Sequence, residues 1–168
     1  MNVAEALRLI RDEGPPRADV TPLYANPEAF VAVVDAIVER TAALNYNAVA
    51  AIDALGFVLG GAIAAQTKRG IIAVRKQGKL PRATLSESFP RYDGGTDTLE
   101  IAKDALTAND RVLLVDEWIE TGATITAAMR LIERCGARVA GVATLHCDLP
   151  LDHPLFNGTP VIALNQDA

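Results

Sequence analysis

The chain has 168 residues, half of them hydrophobic, which suits one domain of ordinary size with a full core. Lysine and arginine total 16 against 21 acids, a net charge of −5, so the basic excess of a nucleic-acid-binding surface is missing and no nucleic-acid partner is expected. Cys135 and Cys147 show no paired spacing, which excludes a disulfide framework and points to a reducing, cytoplasmic setting.

Met1 to Arg11 carries Glu5 and lacks a long apolar core, so neither a signal peptide nor a membrane span is expected there. Val3, Leu7 and Ile10 instead predict a short amphipathic helix over 3–13, stopped by Gly14-Pro15-Pro16. An irregular segment follows to Tyr24, and the residues before Asn26 read as a small appendage. Asn26-Pro27 opens a helix, with Asn as N-cap and Pro at the first helical position. Its stripe of Phe30, Val33, Val34, Ile37 and Val38 has core-facing spacing. Ala48–Ile52 reads as an apolar strand ending at Asp53, Gly56–Gln66 as a helix of small residues, and Ile71–Val74 as a strand ending in Arg75-Lys76.

Residues 77–97 are polar and contain Gly78, Pro81, Pro90, Gly94 and Gly95. So long a connection is expected to be a mobile, functional loop. A strand over Thr98–Ile101 follows, then a buried strand over Arg111–Val115, a helix over Thr121–Arg134 closed by Gly136, and strands over Val139–Leu145 and Val161–Leu164. Strands alternating with helices predict an α/β fold: one domain over 1–168 whose parallel twisted sheet carries helices on both faces.

The sharpest chemistry follows the strand at 111–115. Ligands of open parallel sheets bind beyond the carboxyl ends of the strands, and Asp116 and Glu117 stand at such an end. Thr121-Gly122-Ala123-Thr124 then turns the chain into a helix, whose N-terminal N–H groups and dipole favour phosphate. Gly122 permits close approach of the backbone, and Thr121 and Thr124 add hydroxyls. The acid pair would repel that phosphate and is better suited to accept hydrogen bonds from two sugar hydroxyls. A strand end and a capped helix would account for a bare Thr-Gly-x-Thr; the whole string is more specific. It is not a Walker A loop, and Gly56, Gly60 and Gly61 do not make a dinucleotide fingerprint.

The string resembles the phosphoribosyl-diphosphate-binding motif of type I phosphoribosyltransferases, and among them the chain is most similar to the adenine enzymes. Asp19-Val-Thr-Pro-Leu23, Ala51-Ile-Asp-Ala-Leu-Gly-Phe57, Val74-Arg-Lys-Gln-Gly-Lys-Leu-Pro81 and Leu99-Glu-Ile-Ala-Lys-Asp-Ala-Leu106 resemble four further segments in order. The resemblance implies transfer of a 5-phosphoribosyl group from phosphoribosyl diphosphate to a purine base, a purine-salvage reaction giving a nucleoside monophosphate and diphosphate. It implies that Asp116 and Glu117 hold the ribose hydroxyls and that Glu120 to Thr124 wrap the 5′-phosphate. Asp53-Ala54 matches the diphosphate loop, where the family often carries a non-proline cis peptide. Lys76 matches the diphosphate-binding lysine, flanked by Arg75 and Lys79, and Tyr92 matches a tyrosine of the mobile loop. Magnesium bound through phosphoribosyl diphosphate, a hood formed by about residues 1–25, and a homodimer are implied as well.

Four positions depart from the adenine enzymes. Leu55 and Ala18 stand where they carry arginines, and Arg91 stands where a loop glutamate is usual, with Glu87 or Asp93 as substitutes. Glu120 replaces a small residue and resembles the aspartate of hypoxanthine and guanine enzymes, which faces N7 of the ring; a carboxylate there suits a general base. Trp118 has two readings, a plain core residue or an indole packed on the base. Lys76, Tyr92 and Glu120 are therefore the expected catalytic residues. A 6-oxopurine or other-base transferase, and a weakly catalytic phosphoribosyl-diphosphate or nucleotide sensor, stand as alternatives. His146 and Cys147 read as packed residues at a strand end rather than metal ligands.

Overall fold

A computed structural model describes residues 1–11, 18–91 and 94–166. Helix α1 (Val3–Leu7) starts with a reciprocal capping box: Glu5 N–H donates to Asn2 Oδ1 at 2.8 Å, and Asn2 N–H donates to Glu5 Oε2 at 3.0 Å. The helix is shorter than its periodicity predicts, because Arg11 pairs with Asp19 in an antiparallel bridge and draws the chain out of helical geometry. The Gly14-Pro15-Pro16 stop lies outside the described residues. The segment expected to be irregular holds helix α2 (Thr21–Ala25), preceded by Asp19, whose carboxylate accepts from Thr21 N–H and Oγ1. Helix α3 (Pro27–Thr41) begins as expected, with Asn26 accepting from Ala29 N–H at 3.0 Å. Its buried residues are Ala29, Val33, Val34, Ile37 and Thr41, while Phe30 and Val38 are half-buried along its edge.

The remaining elements are β1 (Ala48–Ile52), α4 (Gly56–Thr67), β2 (Gly70–Lys76), β3 (Thr84–Pro90), β4 (Thr96–Ala102), β5 (Arg111–Val115), β6 (Trp118–Ile119), α5 (Ala123–Arg134), β7 (Arg138–Thr144), β8 (His146–Cys147) and β9 (Val161–Ala163). The main sheet has seven strands in the order β3-β4-β2-β1-β5-β7-β9. From β2 through β9 the neighbours run parallel, as expected of an α/β fold. β4 is antiparallel to both β2 and β3.

That antiparallel edge corrects the reading of 77–97 as one polar loop. Thr84 pairs with Ala102 and the ladder runs out to Pro90 opposite Thr96, so most of the segment is a hairpin. The composition misleads because β3 is an edge strand with a solvated face: Ser86 and Ser88 interrupt Leu85 and Phe89, which pack on the core. Pro90 is tolerated at the end of such an edge. The hairpin is also fastened to α5, since Glu87 receives Arg130 at 3.3 Å and Arg134 at 3.1 Å.

Two core layers sandwich the sheet. Leu114, Ile52, Ile125 and Ile132 lie on the α5 side; Leu113, Val33, Ile37, Leu59 and Ile63 lie on the side of α3 and α4. Leu113 and Leu114 fall in opposite layers because successive strand residues point to opposite faces. Ala6, Val20 and Leu23 are buried in the second layer, so α1 and α2 pack onto α3 rather than hanging from it. Among the described residues no helix is long and apolar enough to cross a membrane.

The small residues of α4 let it lie close against β1. A Cβ on Gly60 would sit 2.6 Å from the Ala51 Cβ, well inside van der Waals contact. Helix propensity alone favours Gly60→Ala by about 0.5–1 kcal/mol, but overpacking costs about 1–3 kcal/mol. The variant is expected to lose stability in urea unfolding; an unchanged or raised midpoint would contradict this packing.

Candidate functional site

Because β1, β2 and β5 run parallel, their carboxyl ends open on one edge of the sheet. A cleft of about 560 Å³ lies there. β1 leads Asp53 and Ala54 into its wall, and the bond between them is cis. β2 and the turn after it bring Lys76 and Lys79, and β5 brings Asp116 and Glu117. Trp118, Glu120 and the four residues from Thr121 to Thr124 continue the wall. Ala18, Asp19, Leu55 and Arg91 border it too, so all four departures from the adenine enzymes, Glu120 included, face the same space.

One expected residue among those described is not brought to the wall. Arg75 is turned aside: its Nε stands 3.4 Å from Asp53 Oδ2, and its guanidinium donates to the Lys79 carbonyl at 3.1 Å. Tyr92 lies outside the described residues, as does Asp93. Glu87, a substitute for the usual loop glutamate, is held by Arg130 and Arg134 and does not border the cleft. The basic stretch divides likewise: Lys76, Lys79 and Arg91 line the cleft, whereas Arg82 pairs with Asp104 at 3.3 Å.

The acid pair is buried, with Asp116 7% and Glu117 9% exposed. Asp116 Oδ1 accepts from the Glu117 N–H at 3.0 Å. Glu117 Oε2 is buried and has no hydrogen-bond partner among the described residues. An ionised carboxylate oxygen left so is costly, and hydrogen-bond donors on a ligand would relieve it. Tyr24 stands nearby, its hydroxyl 3.4 Å from the Leu55 carbonyl. Burial first, then the charges of Glu117 and Asp116, push its phenol far above the usual tyrosine range, so it stays neutral. Gly56 makes room beside the pair, since a Cβ there would meet Asp116 Oδ1 at 3.0 Å and the Val115 carbonyl at 3.2 Å.

Helix α5 starts two residues later than its sequence pattern suggests. Thr121 and Gly122 form the turn before it, with Gly122 at φ +77°, a conformation that favours glycine. Thr121 Oγ1 lies 3.4 Å from the Ala123 N–H, and the Gly122 carbonyl accepts from Thr126 N–H at 2.9 Å and Oγ1 at 2.8 Å. The first-turn N–H groups of α5 have no carbonyl of their own helix to bond, which makes this end an anion cradle.

Two features escaped sequence reasoning. The parallel pair β6 and β8 sets Trp118 beside His146, their rings stacked at 3.8 Å with an 8° tilt. Trp118 is thus half-buried, packed on His146 by one face, and borders the cleft. Glu100, buried in β4, accepts from Lys79 N–H at 2.9 Å and Leu80 N–H at 2.7 Å, and so fixes the turn that presents Lys79. A lone glutamate between Leu99 and Ile101 was the available signal.

The phosphoribosyl transferase domain matches residues 19–154. The chain belongs to the phosphoribosyltransferase family. It is 44% identical over 153 residues to the adenine phosphoribosyltransferase of Maricaulis maris, covering 89% of this chain and 86% of that one. The crystal structure of the adenine phosphoribosyltransferase of Thermoanaerobacter pseudethanolicus is similar with a TM-score of 0.89 and 30% identity, covering 97% of this chain and 98% of the other. That of Giardia lamblia, complexed with 9-deazaadenine, is similar with a TM-score of 0.88 and 28% identity, covering 98% and 97%. As a phosphoribosyltransferase the chain is a glycosyltransferase with the type I fold.

Glu100 gives this phosphoribosyltransferase a pH signature. Burial pushes its carboxyl up, but the backbone N–H groups of Leu80, Gly78 and Lys79 and the charge of Arg75 outweigh burial and hold it below the ordinary glutamate value. A folded pKa below the unfolded one adds stability above the unfolded value, about 4.3, and loses it as pH falls through the lower folded value. Urea midpoints should fall more steeply below about pH 4.3 in the wild type than in Glu100→Gln. Parallel pH curves would refute the assignment.

Proposed function

We propose that this phosphoribosyltransferase moves the 5-phosphoribosyl group of phosphoribosyl diphosphate onto adenine, giving adenosine monophosphate and diphosphate in purine salvage. The observation that carries the reading is the unpartnered Glu117 Oε2 beside the open N-terminus of α5. One end wants hydroxyl donors and the other an anion, and a ribose 5-phosphate supplies both. The adenine phosphoribosyltransferases to which the chain is similar support adenine as the base.

In this reading Asp116 and Glu117 accept from the ribose hydroxyls, while Thr121, Gly122, Ala123 and Thr124 take the 5′-phosphate. Asp53, Ala54, Lys76 and Lys79 border the diphosphate end, with Arg75 steadying Asp53 and the Lys79 carbonyl from behind. A base nitrogen attacks C1 of the ribose, the C1–O bond breaks, and its electron pair leaves with diphosphate. Lys76 offsets the charge that grows on the leaving group, an interaction strongest in the transition state. Glu120 accepts the proton released from the base, and Tyr92 takes the part of the loop tyrosine of the family that the chain resembles. Asp116 and Glu117 are the carboxylates that would stand nearest a magnesium ion bound with the substrate, which would supply further charge neutralisation for the diphosphate. A cytoplasmic homodimer completes the proposal, on the strength of the family likeness.

The Glu120 carboxylate, exposed in the cleft wall, favours a second reading in which a 6-oxopurine is accepted. Product formation from phosphoribosyl diphosphate with adenine, hypoxanthine, guanine and xanthine separates the two. Adenine is expected to be turned over, and Glu117→Ala to lower kcat/KM for phosphoribosyl diphosphate by about 10- to 100-fold, the worth of hydrogen bonds to a charged group. Diphosphate release with none of the four bases would overturn the reading. Turnover of adenine alone, unaffected by Glu120→Ala, would remove the second one and with it the proton-accepting role of Glu120.

A further inference from the structure

Beyond the cleft wall, three side chains meet in an arrangement that the reaction itself does not require. Trp118 and His146 are register partners on the parallel strands β6 and β8, so their side chains rise side by side and stack. A single carboxylate ties both rings: Asp148 Oδ2 accepts from the Trp118 indole Nε1–H at 2.9 Å, and Asp148 Oδ1 lies 2.9 Å from His146 Nε2, whose N–H it accepts. With one oxygen on each ring, the carboxylate keeps the two planes nearly parallel. Asp148 is itself held, since its N–H donates to the Ile119 carbonyl at 2.8 Å. The residues on either side are pinned from the last described turn: Asn165 Oδ1 accepts from the Cys147 N–H at 2.9 Å, and Gln166 Nε2 donates to the Cys147 and Leu149 carbonyls at 2.9 and 2.7 Å.

An exposed carboxylate–histidine pair contributes little to stability on its own. Here the pair ends on an indole that borders the cleft two positions before Glu120. A large ring with a free side chain would sample several rotamers and give a base no fixed surface. Stacking and a hydrogen bond remove that freedom before any ligand arrives, which is how preorganisation raises affinity.

We propose that Asp148 and His146 are positioning residues that lock the Trp118 indole as a fixed wall of the cleft, and that the three together set how tightly the purine is held. The inference rests on the transferase reading above. It concerns affinity for the base, not the transfer step, so it separates the KM for adenine from kcat and from the KM for phosphoribosyl diphosphate.

Trp118 is the single tryptophan of the chain, so its fluorescence reports on the wall directly. Asp148→Ala should raise the KM for adenine about fivefold, the worth of one aromatic pair or neutral hydrogen bond, with kcat little changed. Its emission should move to longer wavelength as the indole loosens. Asp148→Asn should restore both, because its amide oxygen still accepts from the indole. His146→Ala should match Asp148→Ala, and His146→Phe should restore the stack; these two keep the test open should Asp148→Ala fold poorly. In a Trp118→Leu background, Asp148→Ala should add no further change in the KM for adenine. An unaltered KM and emission in both alanine variants would overturn the proposal, as would a KM change that persists in the Trp118→Leu background. A wild type that turned over no purine would instead overturn the transferase reading itself.

Discussion

A buried carboxylate oxygen without a partner is the constraint around which this structure is arranged. Glu117 reaches its position because β5 is buried from Val112 to Val115 and carries the acid pair into the cleft wall, beside Tyr24 of α2 and Gly56 of α4. Asp116 turns Oδ1 back onto the Glu117 N–H and so orders the pair without answering its second member. Tyr24 is close enough to feel both charges, yet its hydroxyl stands by the Leu55 carbonyl. Gly56 keeps α4 from crowding the carboxylate. Such an arrangement lowers stability in the empty protein and is retained where a ligand supplies the missing donors.

The two ends of the cleft rest on different kinds of support. The end at α5 is backbone: a glycine at positive φ and the first turn of the helix, which side-chain substitutions elsewhere hardly disturb. The cation end is held by side chains in series, with Glu100 fixing the turn at 79–80 and Arg75 bridging Asp53 to it. The hairpin that borders the cleft through Phe89, Pro90 and Arg91 is fastened to α5 by the Glu87 clamp. Its position is thereby linked to the helix whose N-terminus opens on the cleft.

Most of the parallel sheet and the glycine turn before α5 could be read from the sequence, and the reason is local. Ala48–Ile52 and Arg111–Val115 are short, apolar and followed at once by chemistry, and Gly122 is the residue type its backbone demands. The errors came where tertiary context decides. Thr84–Pro90 looked like a loop because half of an edge strand is solvated, and α2 was missed because five residues give too little periodicity. Glu87 and Arg75 carry suitable charges, but which way each one turns depends on Arg130, Arg134, Asp53 and Lys79, none of which is its neighbour in sequence. The stack of Trp118 on His146 depends on the register of two-residue strands 28 positions apart, which no local pattern encodes.

The central claim is that the Glu117 carboxylate is satisfied by ribose hydroxyls. Calorimetric binding of adenosine monophosphate and of its 2′,3′-dideoxy analogue tests it most directly. The account predicts a preference for the hydroxylated ligand of about 10- to 100-fold in the wild type, largely lost in Glu117→Ala. Equal affinity for the two ligands in the wild type, or the same preference in both proteins, would contradict it.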